Sequence, residues 1–585
     1  MGINTKEKID QKQTRVGFLD GLRMNSKKVY VGFCFLRVLC AVFLLGYIHP
    51  DEYFQSCEVV AGDVYSFQNL TIPWEFSPAD PNRSIVPPML TCGIPFLLLR
   101  LLGAATPRLL LLAPRLMAVL LSFSLDAAFH SALLSLWPRM PRSSRFSAMA
   151  CMGSSWVALV FLSRTFSNSL ELLFSALTFA AALSTSTPLK RRIAHFACLC
   201  VVGSFVRFTF PIFVFPLGIW LLYSHSSSSA PSSFPSSITR HRRQAVPRLL
   251  LYVLRAATVA SGVLMLFVVA DSLYFGRMTV APINNLLYNL DPTNLALHGV
   301  HPLYLHATVN LFLLFGPLAL LAYISTFSLL SNSCRHLPFF HRRFPQLQTS
   351  STSSTFSPSS TFSPSSSSLL PPMSSTSSPS SSPIPFSTQL LLINSVLFPL
   401  LVLSRAPHQE ARFLLPLLFP LLLLLSLLRP SLLDSRLFWC IWLFFNLLLL
   451  LFFGLLHQGS LTSSLMWAHH ESIRLQALGT VDAEHPLTVV FWRTYMPPAH
   501  LAAITSLSEV PLVIVDLRST PVDELLQACC RTPNTLLITP RPALARLLLP
   551  ESKFNLVHSF YPHFSGEEPP SKWSEMTLDV VSFQS

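Results

Sequence analysis

Long apolar runs, separated by short polar or basic stretches, recur along most of the chain. A helix needs about 20 predominantly apolar residues to cross a bilayer. Eleven segments approach or exceed that length: 30–48, 108–137, 146–162, 170–186, 193–206, 209–223, 249–270, 304–331, 389–404, 411–428 and 437–456. The fifth and sixth are short and split by Arg207 and Pro211, which reads as a hairpin that does not fully cross. After residue 456 the pattern changes. Residues 487–492, 511–516 and 535–539 are short apolar or β-branched runs between Pro-bearing loops, the pattern of a small mixed α/β domain. Two Ser/Pro-rich tracts, 224–237 and 349–388, cannot bury enough apolar surface to fold and are expected to be disordered. The expected organisation is an N-terminal segment 1–28, a helical polytopic membrane domain 29–456 with a first large loop at 49–107 and loops at 224–248 and 332–388, and an α/β domain 457–585.

Composition excludes a soluble globular chain. Charged residues make up 12% of the 585, against about 25% in soluble domains, and mean hydropathy is +0.50. The formal net charge of +14 does not indicate nucleic-acid binding, because Lys and Arg lie between apolar runs. If eleven segments alternate, Lys6–Arg15, Arg139–Arg145, Lys190–Arg192, Arg240–Arg243, Arg335–Arg343 and Arg429–Arg436 share one side, which is the cytosol. The other side then holds 49–107, 163–169, 207–208, 271–303, 405–410 and 457–585. The chain's two glycosylation sequons, at Asn69 and Asn82, fall in the first of these. Cys57 and Cys92 flank a polar part of that loop and can pair if it is luminal. The first apolar run lacks a small-residue cleavage site and reads as a retained anchor.

The polar residues of the non-cytosolic segments are clustered. His49-Pro50-Asp51-Glu52-Tyr53-Phe54-Gln55-Ser56 opens the first loop. A carboxylate there can take a proton from an attacking hydroxyl, and the same residues also suit a solvated loop after an anchor helix. Arg164, in Arg164-Thr165-Phe166-Ser167-Asn168, can bind a phosphate or snorkel to the interface. Arg207 lies between two apolar half-segments, where an idle charge is expensive, and an anionic lipid phosphate is its expected partner. Asp271 and the histidines 298, 301 and 306 suit sugar or phosphate contacts, or loop packing; their spacing fits no common zinc motif, so no metal is assigned. His408, Glu410 and Arg412 suit a polar ligand or a structural ion network. Asp126 is an intramembrane carboxylate and a functional candidate on that ground. No Gly-rich phosphate loop is present, which argues against a soluble nucleotide donor and against ATP-driven transport.

His49-Pro50-Asp51-Glu52, followed in order by Arg164-Thr165-Phe166-Ser167-Asn168, Arg207-Phe208-Thr209-Phe210, Asp271-Ser272 and His408-Gln409-Glu410-Ala411-Arg412-Phe413, resembles the dolichol-phosphate-mannose-dependent mannosyltransferases of the GT-C superfamily. These include the GPI mannosyltransferases and the late asparagine-glycan mannosyltransferases. Phe54 after Tyr53, Trp74-Glu75-Phe76 with Arg83-Ser84, Leu295 through Pro302, and Thr494-Tyr495-Met496-Pro497-Pro498 are most similar to the subgroup that adds a fourth, side-branch mannose to GPI. The resemblance implies a GT-C-like fold in the endoplasmic reticulum membrane with a luminal active site. The implied donor is dolichyl-phosphate mannose, with no cofactor, and the implied acceptor is the third mannose of a GPI precursor. It implies Asp51 and Glu52 as catalytic, and Arg164, Arg207 and Arg412 as donor-phosphate ligands. His49, Gln55, Asn168, Asp271, His298, His301, His408 and Glu410 become substrate contacts. A sister enzyme of the same group is the nearest alternative. A lipid transporter or scramblase would instead place polar residues at mid-membrane and show an internal repeat.

Overall fold

The apolar runs fold as helices, but several are broken by identifiable residues. The computed structural model describes residues 26–228, 235–291, 293–294, 299–335, 384–530, 534–547 and 554–583. Each of the eleven segments contains helix. Among the described residues, five helices are long and apolar enough to cross a membrane: Pro107–Leu136, Leu249–Phe275, Phe386–Leu403, Ala411–Leu428 and Arg436–Leu456. A sixth is gained if the bent pair Arg142–Gly153 and Trp156–Ser163 counts as one span. A count of eleven crossings is therefore not established, and the sequence itself supplies the reasons. The first helix, α1 (Ser26–Phe43), carries Lys27, Lys28 and Arg37. Segment 304–331 divides at Gly316, whose φ of +46° precedes Pro317, so the helix ends and restarts there. Ser167–Leu183 is 17 residues long.

The break in the bent pair is stabilised from outside. The helices meet at 62° around Gly153-Ser154-Ser155, and the freed N–H of Trp156 donates to Asn446 Oδ1 at 2.7 Å. Trp442 Nε1 donates to Ser154 Oγ at 2.9 Å. Phe438, Trp442 and Asn446 form the buried stripe of their helix at four-residue spacing. The opposite face exposes Leu437, Ile441, Phe444, Leu447, Leu448 and Leu451. A continuous apolar face of this kind is what a bilayer covers. Leu418–Leu428, by contrast, is buried on all sides and forms the centre of the bundle.

Asp126, the intramembrane candidate, has a structural role. Its Oδ2 accepts from Arg37 Nη1 at 2.7 Å and its Oδ1 accepts from Tyr30 Oη at 3.0 Å, joining α1 to Pro107–Leu136. The described ends of the first Ser/Pro tract, 224–228 and 235–237, are helical, as continuations of Phe210–Ser228 and Pro235–Phe275. The second tract lies outside the described residues up to 383.

The C-terminal region carries a five-stranded sheet in the order β2-β1-β3-β5-β4. β1 (Leu487–Phe491), β2 (Leu512–Asp516) and β3 (Thr535–Pro540) are parallel and correspond to the three apolar runs. β4 (Phe554–Phe560) and β5 (Leu578–Phe583) pair antiparallel, and β5 also pairs antiparallel with β3. These last two were not visible in the apolar pattern, because Asn555, His558 and Asp579 interrupt them. One apolar cluster unites the sheet with the first loop: Tyr53, Val60 and Phe96 pack with Leu461, Leu465, Leu487 and Leu512. A backbone seam closes the same region. Gly46 N–H donates to Gly454 O at 2.8 Å, and Tyr47 N–H donates to His457 O at 2.9 Å. A Cβ on Gly46 would lie 2.3 Å from Phe453 O, so only glycine fits.

Candidate active site

α1 ends at Phe43, well before Pro50. At φ −51° Pro50 opens a new turn, Asp51–Phe54, whose first N–H groups bond back to His49 O and Pro50 O. Successive residues on a helix point about 100° apart. The adjacent carboxylates of Asp51 and Glu52 are sent in different directions by that geometry.

Asp51 faces a cavity of about 590 Å³. Its Oδ2 accepts from Arg412 Nη1 at 2.5 Å, and its side chain remains 22% exposed. Burial would raise the Asp51 carboxyl, but the Arg412 guanidinium, with His49 and Arg83 nearby, holds it well below the usual carboxylate range. Arg412 Nε also bonds Glu410, which accepts from His408 Nε2 at 2.7 Å. Despite burial, Glu410 is held far below its ordinary value by Arg412 and His408. His49 Nδ1 accepts the Asp51 N–H at 3.2 Å, which leaves Nε2 to carry the ring proton, 3.9 Å from Glu410 Oε2. His49, His408, Glu410 and Arg412 all line the cavity with Asp51.

Arg207 lines the cavity too. Its guanidinium stands 5.3 Å from the centre of the Phe413 ring, and that of Arg412 stands 5.6 Å from the same centre. Arg207 Nη1 donates to Ser167 Oγ at 3.0 Å and to Asn168 Oδ1 at 3.4 Å. Its Nε lies 3.3 Å from Glu171 Oε2. Asn168 is buried behind it, so it positions the arginine and does not reach the cavity.

Other residues expected at the site lie elsewhere. Glu52 is 1% exposed and faces the protein interior. Its Oε1 accepts from Arg164 Nη1 at 2.8 Å and from Arg115 Nη2 at 3.0 Å. Neither Glu52 nor Arg164 lines the cavity. Arg164 is consumed by Glu52 and by Leu44 O, so it is not placed to meet a donor phosphate. Asp271 is buried and clamps the first loop, accepting from Ser84 Oγ at 2.9 Å and Ile85 N at 3.0 Å. His301 Nδ1 accepts the Gln409 N–H at 3.2 Å and sets the turn that presents His408. His298 lies outside the described residues. Cys57 and Cys92 meet in the interior, with Sγ atoms 2.6 Å apart.

The sequons separate by burial. Asn69 is exposed, whereas Asn82 is 2% exposed, with its amide donating to Asp80 O at 3.2 Å. The folded chain has no room for a glycan at Asn82. Asn69→Gln is expected to remove an endoglycosidase-sensitive gel shift, and Asn82→Gln to leave that shift unchanged.

Gln55, expected as a substrate contact, lines the cavity as well, and most of the remaining wall was not assigned a role from the sequence. Gln55, one turn beyond Asp51, donates from Nε2 to Glu75 Oε2 at 3.0 Å. Glu75 Oε1 accepts from Arg83 Nε at 2.7 Å. Trp74, Tyr288, Met496 and Arg518 complete the lining. Trp74-Glu75 and Arg83 were marked only by resemblance; nothing in their spacing announced that they meet the 51–55 turn. Arg115 had one available signal, an arginine beside Pro114 within an apolar run.

The profile of the Alg9-like mannosyltransferase family matches residues 29–502. The human protein named GPI alpha-1,2-mannosyltransferase 4 is 33% identical over 94% of this chain and 91% of its own length. The chain belongs to the Alg9-like mannosyltransferase family. Proteins named GPI mannosyltransferase 4 from Emericella nidulans and Schizosaccharomyces pombe are 31% and 27% identical, over 84% and 83% of this chain and 80% and 78% of their own. A solved structure, ArnT from Cupriavidus metallidurans bound to undecaprenyl phosphate, superposes with a TM-score of 0.46 at 11% identity, covering 94% of this chain and 97% of that one. A likeness of that size carries no argument. This mannosyltransferase thus bears out, at the level of the family, the resemblance carried by its ordered motifs.

Proposed function

We propose that this mannosyltransferase transfers mannose from dolichyl-phosphate mannose to the 2-hydroxyl of the third mannose of a GPI-anchor precursor, on the luminal side of the endoplasmic reticulum membrane. The observation that carries the reading is one cavity in which an ionised carboxylate, Asp51, is paired with the guanidinium of Arg412, with Arg83 in the same lining and Arg207 sharing the Phe413 ring with Arg412. The names of the relatives support the acceptor class.

In this mechanism the acceptor hydroxyl gives its proton to Asp51 as its oxygen bonds the anomeric carbon. The bond from that carbon to the phosphate oxygen breaks, and the electron pair leaves with the lipid phosphate. Arg207 and Arg412 stabilise the charge that develops there. Attack in line with the leaving group inverts a β-linked donor to an α-linked product. Arg412 has a second task. While it holds Asp51, the carboxylate is a weak base. A donor phosphate competes for the same guanidinium, and its arrival returns Asp51 toward ordinary basicity. Glu410 keeps Arg412 anchored during that exchange. Glu52 supports Asp51 from behind by fixing the turn. No cofactor is assigned.

The test is complementation of a cell lacking the fourth-mannose step, with GPI precursors read by lipid analysis. Conversion of the three-mannose to the four-mannose precursor is expected. An expressed protein that instead relieves a block at the third mannose, or in asparagine-glycan assembly, moves the assignment to a sister enzyme.

A further inference from the structure

Trp74 is 43% exposed, a large fraction for an indole in a folded wall, and it lines the cavity that holds Asp51. Its ring centre is 4.5 Å from that of Tyr288, at an interplanar angle of 36°, and Tyr288 lines the same cavity. The pair is held from both sides. Glu75, the next residue, is fixed by Gln55 and Arg83. The helix bearing Tyr288, Ala281–Leu290, is tied to the first loop by Asn284 Nδ2 to Pro81 O at 2.8 Å and Asn285 Nδ2 to Asn82 O at 3.0 Å.

An immobilised aromatic face beside a carboxylate and a guanidinium matches the two-sided chemistry of a pyranose. The C–H face of the sugar covers the ring, and its hydroxyls reach the polar flank. The position selects which sugar. On the functional reading above, the donor phosphate takes the end of the cavity where Arg207 and Arg412 flank Phe413. Trp74 belongs to the other connection from Asp51, through Gln55 and Glu75. We propose that Trp74, backed by Tyr288, is the platform on which the acceptor hexose stacks, so that its hydroxyl is presented to Asp51. The inference deepens the functional reading above by naming the subsite that recognises the acceptor glycan.

The experiment measures equilibrium binding of an α-linked mannose trisaccharide to the purified full-length protein in detergent, alongside transfer from dolichyl-phosphate mannose. Trp74→Ala is expected to weaken trisaccharide binding about tenfold, with Trp74→Phe staying within about threefold because it keeps a flat apolar face. In transfer, Trp74→Ala is expected to raise KM for the acceptor and leave KM for the donor unchanged. Unaltered trisaccharide binding in Trp74→Ala overturns the platform, as does a wild type that binds no trisaccharide or an effect confined to the donor KM. If the wild type binds trisaccharide through Trp74 yet does not use this donor, the subsite stands and the donor assignment fails.

Discussion

Asp51→Asn is expected to lower mannosyl transfer by roughly 10²–10⁴-fold, the usual contribution of a positioned general base. The substitution keeps the shape of the side chain and removes its capacity to accept a proton. Arg412 keeps Glu410 as its counter-ion, so the folded amount of protein should change little. Transfer from labelled donor in microsomes, normalised to protein by immunoblot, measures the loss; activity near wild type removes Asp51 from the mechanism. The pH behaviour has a definite sign. The folded pKa of Asp51 is depressed, so the Arg412 pair contributes stability above the unfolded carboxylate pKa. That stability is lost as pH falls through the lower folded value. The base also stays ionised well into the acid range, and the acid limb of kcat/KM against pH should lie below the usual carboxylate range.

Glu52→Ala is expected to have the largest effect on folding, roughly 3–5 kcal/mol, because it leaves buried Arg115 and Arg164 without a counter-charge. Both guanidinia also donate to Leu44 O, in the stretch that leads from α1 to Asp51. Losing Glu52 therefore loosens the turn that presents Asp51 to the cavity. Detergent-solubilised protein, heated in steps and read by fluorescence-detected gel filtration, should lose its monodisperse peak at a clearly lower temperature than wild type. A variant that melts with wild type would show that the three-charge cluster is not what seats the turn. The two adjacent carboxylates thus fail differently: one leaves a folded, inactive protein, the other a poorly folded one.

Much of this arrangement was legible in the sequence. The apolar runs gave the helices, the change after residue 456 gave the three parallel strands, and the ordered polar motifs gave Asp51, Arg207, His408, Glu410 and Arg412 at one cavity. The segments expected opposite the basic loops do meet one another: His49 with Glu410, Arg207 with Asn168, Asp271 with Ser84, and Glu58 with His500. What the sequence could not separate was the function of like residues. Glu52 and Asp51 are neighbours, and only the turn begun at Pro50 sends one into the interior. Arg164 and Arg207 sit in similar contexts, and the partner decides between them. Arg164 is held by a buried carboxylate of the first loop, whereas Arg207 also faces the cavity. Asn82 satisfied a glycosylation pattern that carries no information on burial. Pairings across hundreds of residues, such as Trp74 with Tyr288, leave no local periodicity to read.

The seam between Gly46 and Gly454 sets an order of assembly. The stretch that carries Asp51 emerges early in synthesis, but the carbonyls that anchor Gly46 and Tyr47 belong to residues 454 and 457. Until the ribosome has passed them, the path from α1 to Pro50 is held at Leu44 O by Arg115 and Arg164 but lacks its anchors at Gly46 and Tyr47, although the cavity residues from His49 to Phe413 have already been made. The turn that carries Asp51 is completed late while being translated among the first, and a chain that stalls between residues 413 and 454 carries Asp51, Arg207, Glu410 and Arg412 without that seam.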